Sequence, residues 1–445
     1  MVDLLTNAPM PPAALIPLLH PDSDDLALID ANGDQWTHAE LADEVAGRAA
    51  LLKGRKSLVF CRCAMDARTV VDYLAALQAG HAVTMVDGGL APELFAELCE
   101  RYQPALVLGP DGTEERKSKA QLHEDLALLL STSGTTGSPR LVRLSASAVE
   151  ANAVAIALHL ELGPEERAIA SLPFHYSYGL SVLNSHLLAG GSVVLPKGGV
   201  VQTSFWSAFE RHKCTSFAGV PYFYELLRRT GWRPGGLSTL RTMTQAGGQL
   251  APERALQLHN ELGLRGARLV VMYGQTEATA RIAWVPPSWL DDKAGSIGVP
   301  IPGGELKVDE GELIYRGANV MMGYATELED LALGDKLGGV LRTGDLGNSD
   351  HDGFFWVTGR SKRFAKIYGL RINLDEVERA LPVPCAAVGA DERGISVFAV
   401  GGDPEELRTR LADRFRLRAR AFDVRGVEQL PTTASGKIDY SALLV

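Results

Sequence analysis

Residues 126–140 read Leu126-Ala-Leu-Leu-Leu-Ser-Thr-Ser-Gly-Thr-Thr-Gly-Ser-Pro-Arg140. The first half, Leu126 to Thr132, is an unbroken apolar run ending in hydroxyls, the pattern of a strand buried on both faces. In the second half Ser131, Thr132, Ser133, Thr135 and Thr136 crowd around Gly134 and Gly137. Glycines let the backbone turn sharply and approach a ligand closely. Closely spaced N–H and O–H donors then suit a polyphosphate. No Gly-Lys-Ser/Thr follows at the required spacing, so this is not a Walker A loop. A plain surface turn is the competing reading, and the density of hydroxyls directly after a buried strand weighs against it.

Outward from this loop the chain alternates strands and helices. Upstream, Thr37-His-Ala-Glu40 is a capping box, and Leu41, Val45, Ala49 and Leu52 then recur on one helical face. Ser57 to Cys63, Ala82 to Asp87 and Ala105 to Gly109 read as strands, with helices at Asp66 to Gln78 and near Pro92 to Tyr102. Downstream come a helix at Ala146 to Leu160 and short apolar strands at 168–173, 192–195, 216–220 and 269–273. Such alternation implies α/β layers around a mostly parallel sheet covered on both faces. After about Gly295, glycine-punctuated short strands (305–308, 312–316, 340–343, 354–358) predict a small β-rich subdomain. Beyond Gly359, helices at 374–380 and 405–415 around a strand near 395–400 predict a compact α+β unit. The expected organisation is a large domain over 1–358, its β-rich part about 295–358, and a small α+β domain over 359–445.

The 445 residues are 46% apolar and 22% charged, with a net charge of −10. That is ordinary globular composition, and it offers no basic face for duplex nucleic acid. The five cysteines, at 61, 63, 99, 214 and 385, are scattered and lack metal-ligand spacing. They read as buried thiols in a reducing compartment. Ala13 to Leu19 is apolar but has prolines before it and no basic lead-in, unlike a signal peptide. No apolar run approaches the ~20 residues of a membrane span. A cytoplasmic protein is expected. There is no internal repeat.

Four further segments carry chemistry. Tyr273-Gly274-Gln275-Thr276-Glu277 closes a strand with a carboxylate. Leu341-Arg-Thr-Gly-Asp345 ends in an acid. Gly359-Arg-Ser-Lys-Arg-Phe-Ala-Lys-Ile-Tyr-Gly369 is basic and lies at the expected domain boundary. Pro431-Thr-Thr-Ala-Ser-Gly-Lys437 places a lysine on a turn just before the chain ends.

Taken in this order, from about Thr37 to Tyr440, the motifs resemble those of the adenylate-forming superfamily: acyl- and aryl-CoA synthetases, peptide-synthetase adenylation domains and luciferases. The resemblance implies ATP binding by Thr132, Ser133, Gly134, Thr135, Thr136 and Gly137. Arg140 stands where the family usually has lysine, which keeps charge but changes donor geometry. It implies that Glu277 holds Mg²⁺, that Thr276 contacts the nucleotide phosphate, that Tyr273, Gly274 and Gln275 belong to the nucleotide site with Tyr273 on adenine, and that Asp345 and Arg360 hold the ribose. Lys362 falls at the family's hinge. Arg371 matches an arginine on the α-phosphate side, and Lys437 the catalytic lysine, which stabilises charge developing as the carboxylate attacks. Tyr368 and Gly369 would help line a phosphopantetheine channel.

For the acid, the resemblance points to the aromatic segment Pro173-Phe-His-Tyr-Ser-Tyr-Gly179. His175, Tyr178, Val220, Ala246, Gly247, Met272 and Thr279 are the expected pocket residues, with Gly247 and Gly248 also bordering adenine. Members acting on α-amino acids usually carry Asp where His175 stands, because the substrate ammonium needs a counter-charge. A small to medium non-amino acid is therefore expected. A packed core histidine is the competing reading of His175. The implied reaction is formation of acyl-AMP from MgATP, followed by transfer to the thiol of CoA or of an acyl carrier protein. An amide- or ester-forming ligase shares every first-step residue, and a nucleotide-binding pseudoenzyme is the rival from another class.

Overall fold

The computed structural model describes residues 18–131, 140–232, 237–360, 363–367, 370–390, 394–432 and 438–443. It is an α/β architecture with two large sheets rather than the one that alternation alone suggests. The first has seven strands. At its centre Leu126–Ser131, Ala82–Asp87, Leu58–Cys63 and Leu106–Gly109 run parallel. The second has nine strands, with Arg268–Tyr273, Thr242–Gln245, Ser216–Gly219, Arg167–Ile169, Ser192–Val194 and Leu26–Ile29 parallel at its centre.

Local signals explain the helices. The Thr37 side chain accepts from the Glu40 amide and Glu40 answers on the Thr37 amide, so the capping box is formed and the helix His38–Leu51 follows. Asp66 caps Ala67–Gln78 through the Thr69 amide. Pro92, whose missing amide hydrogen costs nothing in a first turn, opens Pro92–Tyr102.

The strand entering the glycine-rich loop does not lead to a helix. Ser131 pairs antiparallel with Leu141, and the partner strand is Leu141–Ser145. That strand was not readable because Arg143 interrupts it. In the fold Arg143 is fully buried and donates to the carbonyls of Tyr324 (3.2 Å), Met322 (3.1 Å), Gly334 (3.3 Å) and Leu333. Those carbonyls belong to a segment whose strand Gly323–Ala325 extends the same sheet beside Leu141–Ser145.

Glu305–Asp309, Glu312–Arg316, Val340–Ser349 and Phe355–Arg360 form a four-stranded antiparallel sheet. Its last strand runs across the expected boundary at 358/359. Beyond it, Cys385–Ala390, Gly394–Ala399 and Phe422–Gly426 pair with one another, and helices Leu374–Arg379 and Pro404–Phe415 share a separate apolar core with them. All five cysteines are buried thiols. Among the described residues no helix is long and apolar enough to cross a membrane.

Candidate active site

In open α/β sheets ligands settle outside the carboxyl ends of parallel strands. The expected site residues gather at such ends. Ser216–Gly219 delivers Val220, Thr242–Gln245 delivers Ala246, Gly247 and Gly248, and Arg268–Tyr273 delivers Gly274 to Glu277. From the other sheet, Ala82–Asp87 ends at Asp87, whose Oδ1 lies 4.0 Å from Nδ1 of His175. The carboxyl ends of both sheets therefore meet at His175.

Why the segment after Tyr273 folds as it does is visible in Gly274. A Cβ there would lie 1.7 Å from the Ala280 carbonyl oxygen, so only glycine lets the chain double back. The amides of Ala278 and Thr279 donate to the carbonyls of Gln275 (3.0 Å) and Thr276 (2.9 Å), and that of Ile282 returns to Tyr273 (2.9 Å). Thr279 takes a left-handed φ of +64°, a strained choice for a β-branched residue. The Thr276 hydroxyl lies 3.2 Å from that of Ser177, at the start of helix Ser177–Leu188.

Glu277 is half-buried. Its Oε1 accepts the Tyr324 hydroxyl at 2.7 Å, while its other oxygen has no partner among the described residues. Tyr324 also carries the Arg140 guanidinium over its ring, 4.1 Å from the centroid. Tyr324 thus joins the end of the glycine-rich loop to the candidate metal carboxylate. Sequence reasoning missed it, since a lone tyrosine outside the quoted motifs gave no signal. One half-buried carboxylate with an open oxygen fits a Mg²⁺ ion that draws its remaining ligands from phosphates and water.

Asp345 sits beside Arg360 in register across two strands, and its Oδ1 is 3.2 Å from the Arg360 Nε. Its Oδ2 accepts Gln275 Nε2 at 2.8 Å and the Tyr273 hydroxyl. The structure thus brings Tyr273, Gln275, Asp345 and Arg360 into one cluster. Burial, at 4% exposure, pushes the Asp345 carboxyl above its ordinary range, and the Arg360 charge pulls it part of the way back.

Val220, Ala246, Met272 and Tyr178 share one apolar cluster flanked by Tyr176 and Trp284. Gly247, at φ +84°, borders it, and a Cβ there would stand 2.5 Å from the Tyr176 hydroxyl and 3.2 Å from Val220. Tyr178 is anchored in the core, its hydroxyl 2.7 Å from the Thr244 hydroxyl. Thr279 stands apart, donating to the Asn319 carbonyl at 2.7 Å. The His175 Nδ1 is buried without a hydrogen bond among the described residues, and burial lowers the imidazole pKa against the pull of Asp87, so the ring is neutral at pH 7. Thr132, Ser133, Gly134, Thr135, Thr136, Gly137, Lys362, Tyr368, Gly369 and Lys437, with the side chain of Arg371, lie outside the described residues.

Comparison with known proteins gives a consistent answer. The family model for AMP-binding enzymes matches residues 109–325. The chain is 33% identical over 338 residues to an indoleacetate–CoA ligase of Aromatoleum aromaticum, spanning 70% of this chain and 65% of that protein. It is 31% identical over 348 residues to a feruloyl-CoA synthase of an Amycolatopsis species, spanning 71% of this chain and 68% of that one. The chain therefore spans about two thirds of the length of the curated relatives it matches. In three dimensions it resembles o-succinylbenzoate–CoA synthetase of Bacillus subtilis in complex with its acyl-adenylate (TM-score 0.77, 23% identity, 97% of both chains). It resembles ATP-bound MatB of Rhodopseudomonas palustris equally (TM-score 0.77, 22% identity, 95% of both).

Proposed function

The chain belongs to the family of AMP-binding, adenylate-forming enzymes, and on that premise we propose that it activates a small carboxylic acid as acyl-AMP and transfers the acyl group to the thiol of coenzyme A. The observation that carries the proposal is the convergence, around the end of strand Arg268–Tyr273, of a half-buried carboxylate, Glu277, and an acid–arginine pair, Asp345 and Arg360, near an apolar side-chain cluster.

In the first step a carboxylate oxygen of the acid attacks the α-phosphorus of ATP. A P–O bond forms, the bond to the β-phosphate oxygen breaks, and pyrophosphate leaves. Glu277 would hold Mg²⁺, which supplies charge neutralisation for the phosphates. Tyr324 fixes the orientation of that carboxylate, and Arg140 beside it brings a positive charge to the phosphate side. Asp345 would accept the ribose hydroxyls on the edge shared with Arg360, since its other oxygen is already taken by Tyr273 and Gln275. The roles assigned to the 132–137 loop and to Lys437 rest on the sequence resemblance. In the second step the thiol sulfur attacks the acyl carbon, the bond to the phosphate oxygen breaks, AMP leaves, and the thiol proton passes to solvent.

Coenzyme A is favoured over a carrier protein because the relatives are named as CoA ligases or synthetases. Those names cover indoleacetate, ferulate, sulfoacetate, long-chain fatty acids and 2-succinylbenzoate, none of them an amino acid, which supports a non-amino acid here. The test is pyrophosphate release across a panel of aliphatic, aromatic and amino acids, with CoA or a phosphopantetheinylated carrier. Release with a non-amino acid and appearance of its acyl-CoA are expected. Acylation of the carrier alone, or of an amine in place of the thiol, would contradict the assignment.

A further inference from the structure

Two arginines are among the largest fully buried side chains, Arg143 and Arg281. Arg143 has its donors taken by four backbone carbonyls. A third interior arginine, Arg363, is paired with Asp375 and Glu378. Arg281 has neither arrangement. It is 2% exposed, and among the described residues the one hydrogen bond of its side chain runs from Nε to the weakly accepting Met272 sulfur at 3.2 Å. Its guanidinium lies over the Tyr178 ring, 4.1 Å from the centroid. No carboxylate pairs with it among the described residues, and the undescribed 132–139 loop contains no acidic residue.

Among the described residues the titratable groups facing this cation are neutral. Tyr176 and Tyr178 are phenols whose ionisation burial pushes upward, and burial lowers His159 to about 3. The nearby Arg268 is already matched by Glu161. A ring face offsets only part of the cost of desolvating a guanidinium, and a buried charge without a counterion is otherwise strongly disfavoured. The Arg281 main chain is held firmly, its carbonyl accepting Asn319 Nδ2 at 2.9 Å and Asn152 Nδ2 at 3.3 Å. The cation is therefore fixed in place, and its side-chain neighbours Met272, Tyr178 and Tyr176 belong to the apolar cluster that holds Val220 and Ala246, residues expected to line the acyl pocket.

Resting on the adenylation reading, we propose that the acid carries a second anionic group, a carboxylate or sulfonate remote from the one activated, which pairs with Arg281. Arg281 is then the residue that sets substrate class. The planar fork of its guanidinium suits such an oxyanion, and binding supplies the counter-charge that the protein alone withholds.

The test uses chain-matched acids: butyrate, succinate and 3-sulfopropanoate, then hexanoate and adipate. Each is measured by calorimetric binding and by pyrophosphate release with the wild type, Arg281→Met and Arg281→Lys. We expect kcat/KM for the better dianion to exceed that for its chain-matched monoacid at least 100-fold. Arg281→Met should erase that preference, chiefly through KM, while remaining folded, since it removes an unpaired charge; Arg281→Lys should retain part of it. A preference for succinate or 3-sulfopropanoate identifies carboxylate or sulfonate as the partner. Equal or better turnover of the monoacids overturns the proposal and leaves adenylation standing. Arg281-dependent binding of a dianion without pyrophosphate release supports the anion site and overturns adenylation instead. The wild-type preference decides the matter even if a variant fails to fold.

Discussion

The Tyr324 hydroxyl donates to Oε1 of Glu277 at 2.7 Å while the Tyr324 ring carries the Arg140 guanidinium at 4.1 Å. One side chain thus fixes both a candidate metal ligand and the cation that ends the glycine-rich loop. Its backbone is set by strand pairing, with Tyr324 opposite Val142 on the strand Leu141–Ser145.

If Tyr324 orients Glu277, Tyr324→Phe removes a hydrogen bond to a charged acceptor and leaves the ring in place. Such bonds contribute about 1.5–3 kcal/mol, or roughly 10- to 100-fold in rate. The expected result is a fall of that order in kcat, with a higher Mg²⁺ requirement and little change in KM for the acid. Magnesium titrations of pyrophosphate release check it.

Asp345→Asn separates function from stability. The raised pKa of Asp345 means that the folded state holds this proton more tightly than the unfolded chain does. Stability is then lost as pH rises from the ordinary carboxylate range through the raised value, and the cost is fully present above it. The asparagine variant escapes that cost. Its melting temperature should equal or exceed that of the wild type at pH 7.5, the difference narrowing as pH falls, while KM for ATP rises at least tenfold. Melts across pH 4–8 and ATP titrations test both halves.

How much of this was legible in the sequence depended on how local each signal is. The Thr37–Glu40 capping box and the Pro92 helix start are set by neighbours within a turn, and both helices begin where those residues predict. The strand Leu141–Ser145 was hidden by Arg143, whose burial depends on carbonyls nearly 200 positions away in sequence (|i−j| up to 191). The same limit concealed Tyr324 and Arg281, whose roles exist only once distant segments pack. The Tyr273–Asp345–Arg360 cluster was foreseen as separate nucleotide contacts. The fold adds that these groups are bonded to one another.

Acid should destabilise the protein through its buried histidines. His159, stacked on Trp284 at 5.0 Å, has its pKa lowered to about 3 by burial. Below the ordinary imidazole value the unfolded chain takes up a proton that the folded site refuses until about pH 3. The unfolded state therefore binds more protons, and stability falls as pH falls, by about 1.4 kcal/mol per unit for this group. His159→Phe should flatten the slope by roughly one proton between pH 6 and pH 4, read from urea midpoints.

Activation of the acid through acyl-AMP can be isolated by acid-dependent ATP–pyrophosphate exchange without any thiol. Labelled pyrophosphate should exchange into ATP only with the acid and Mg²⁺, without any need for CoA, and at least 100-fold more slowly in Glu277→Gln and Lys437→Ala. Exchange that appears only when CoA is present, or release of ADP and phosphate in place of AMP and pyrophosphate, would contradict it.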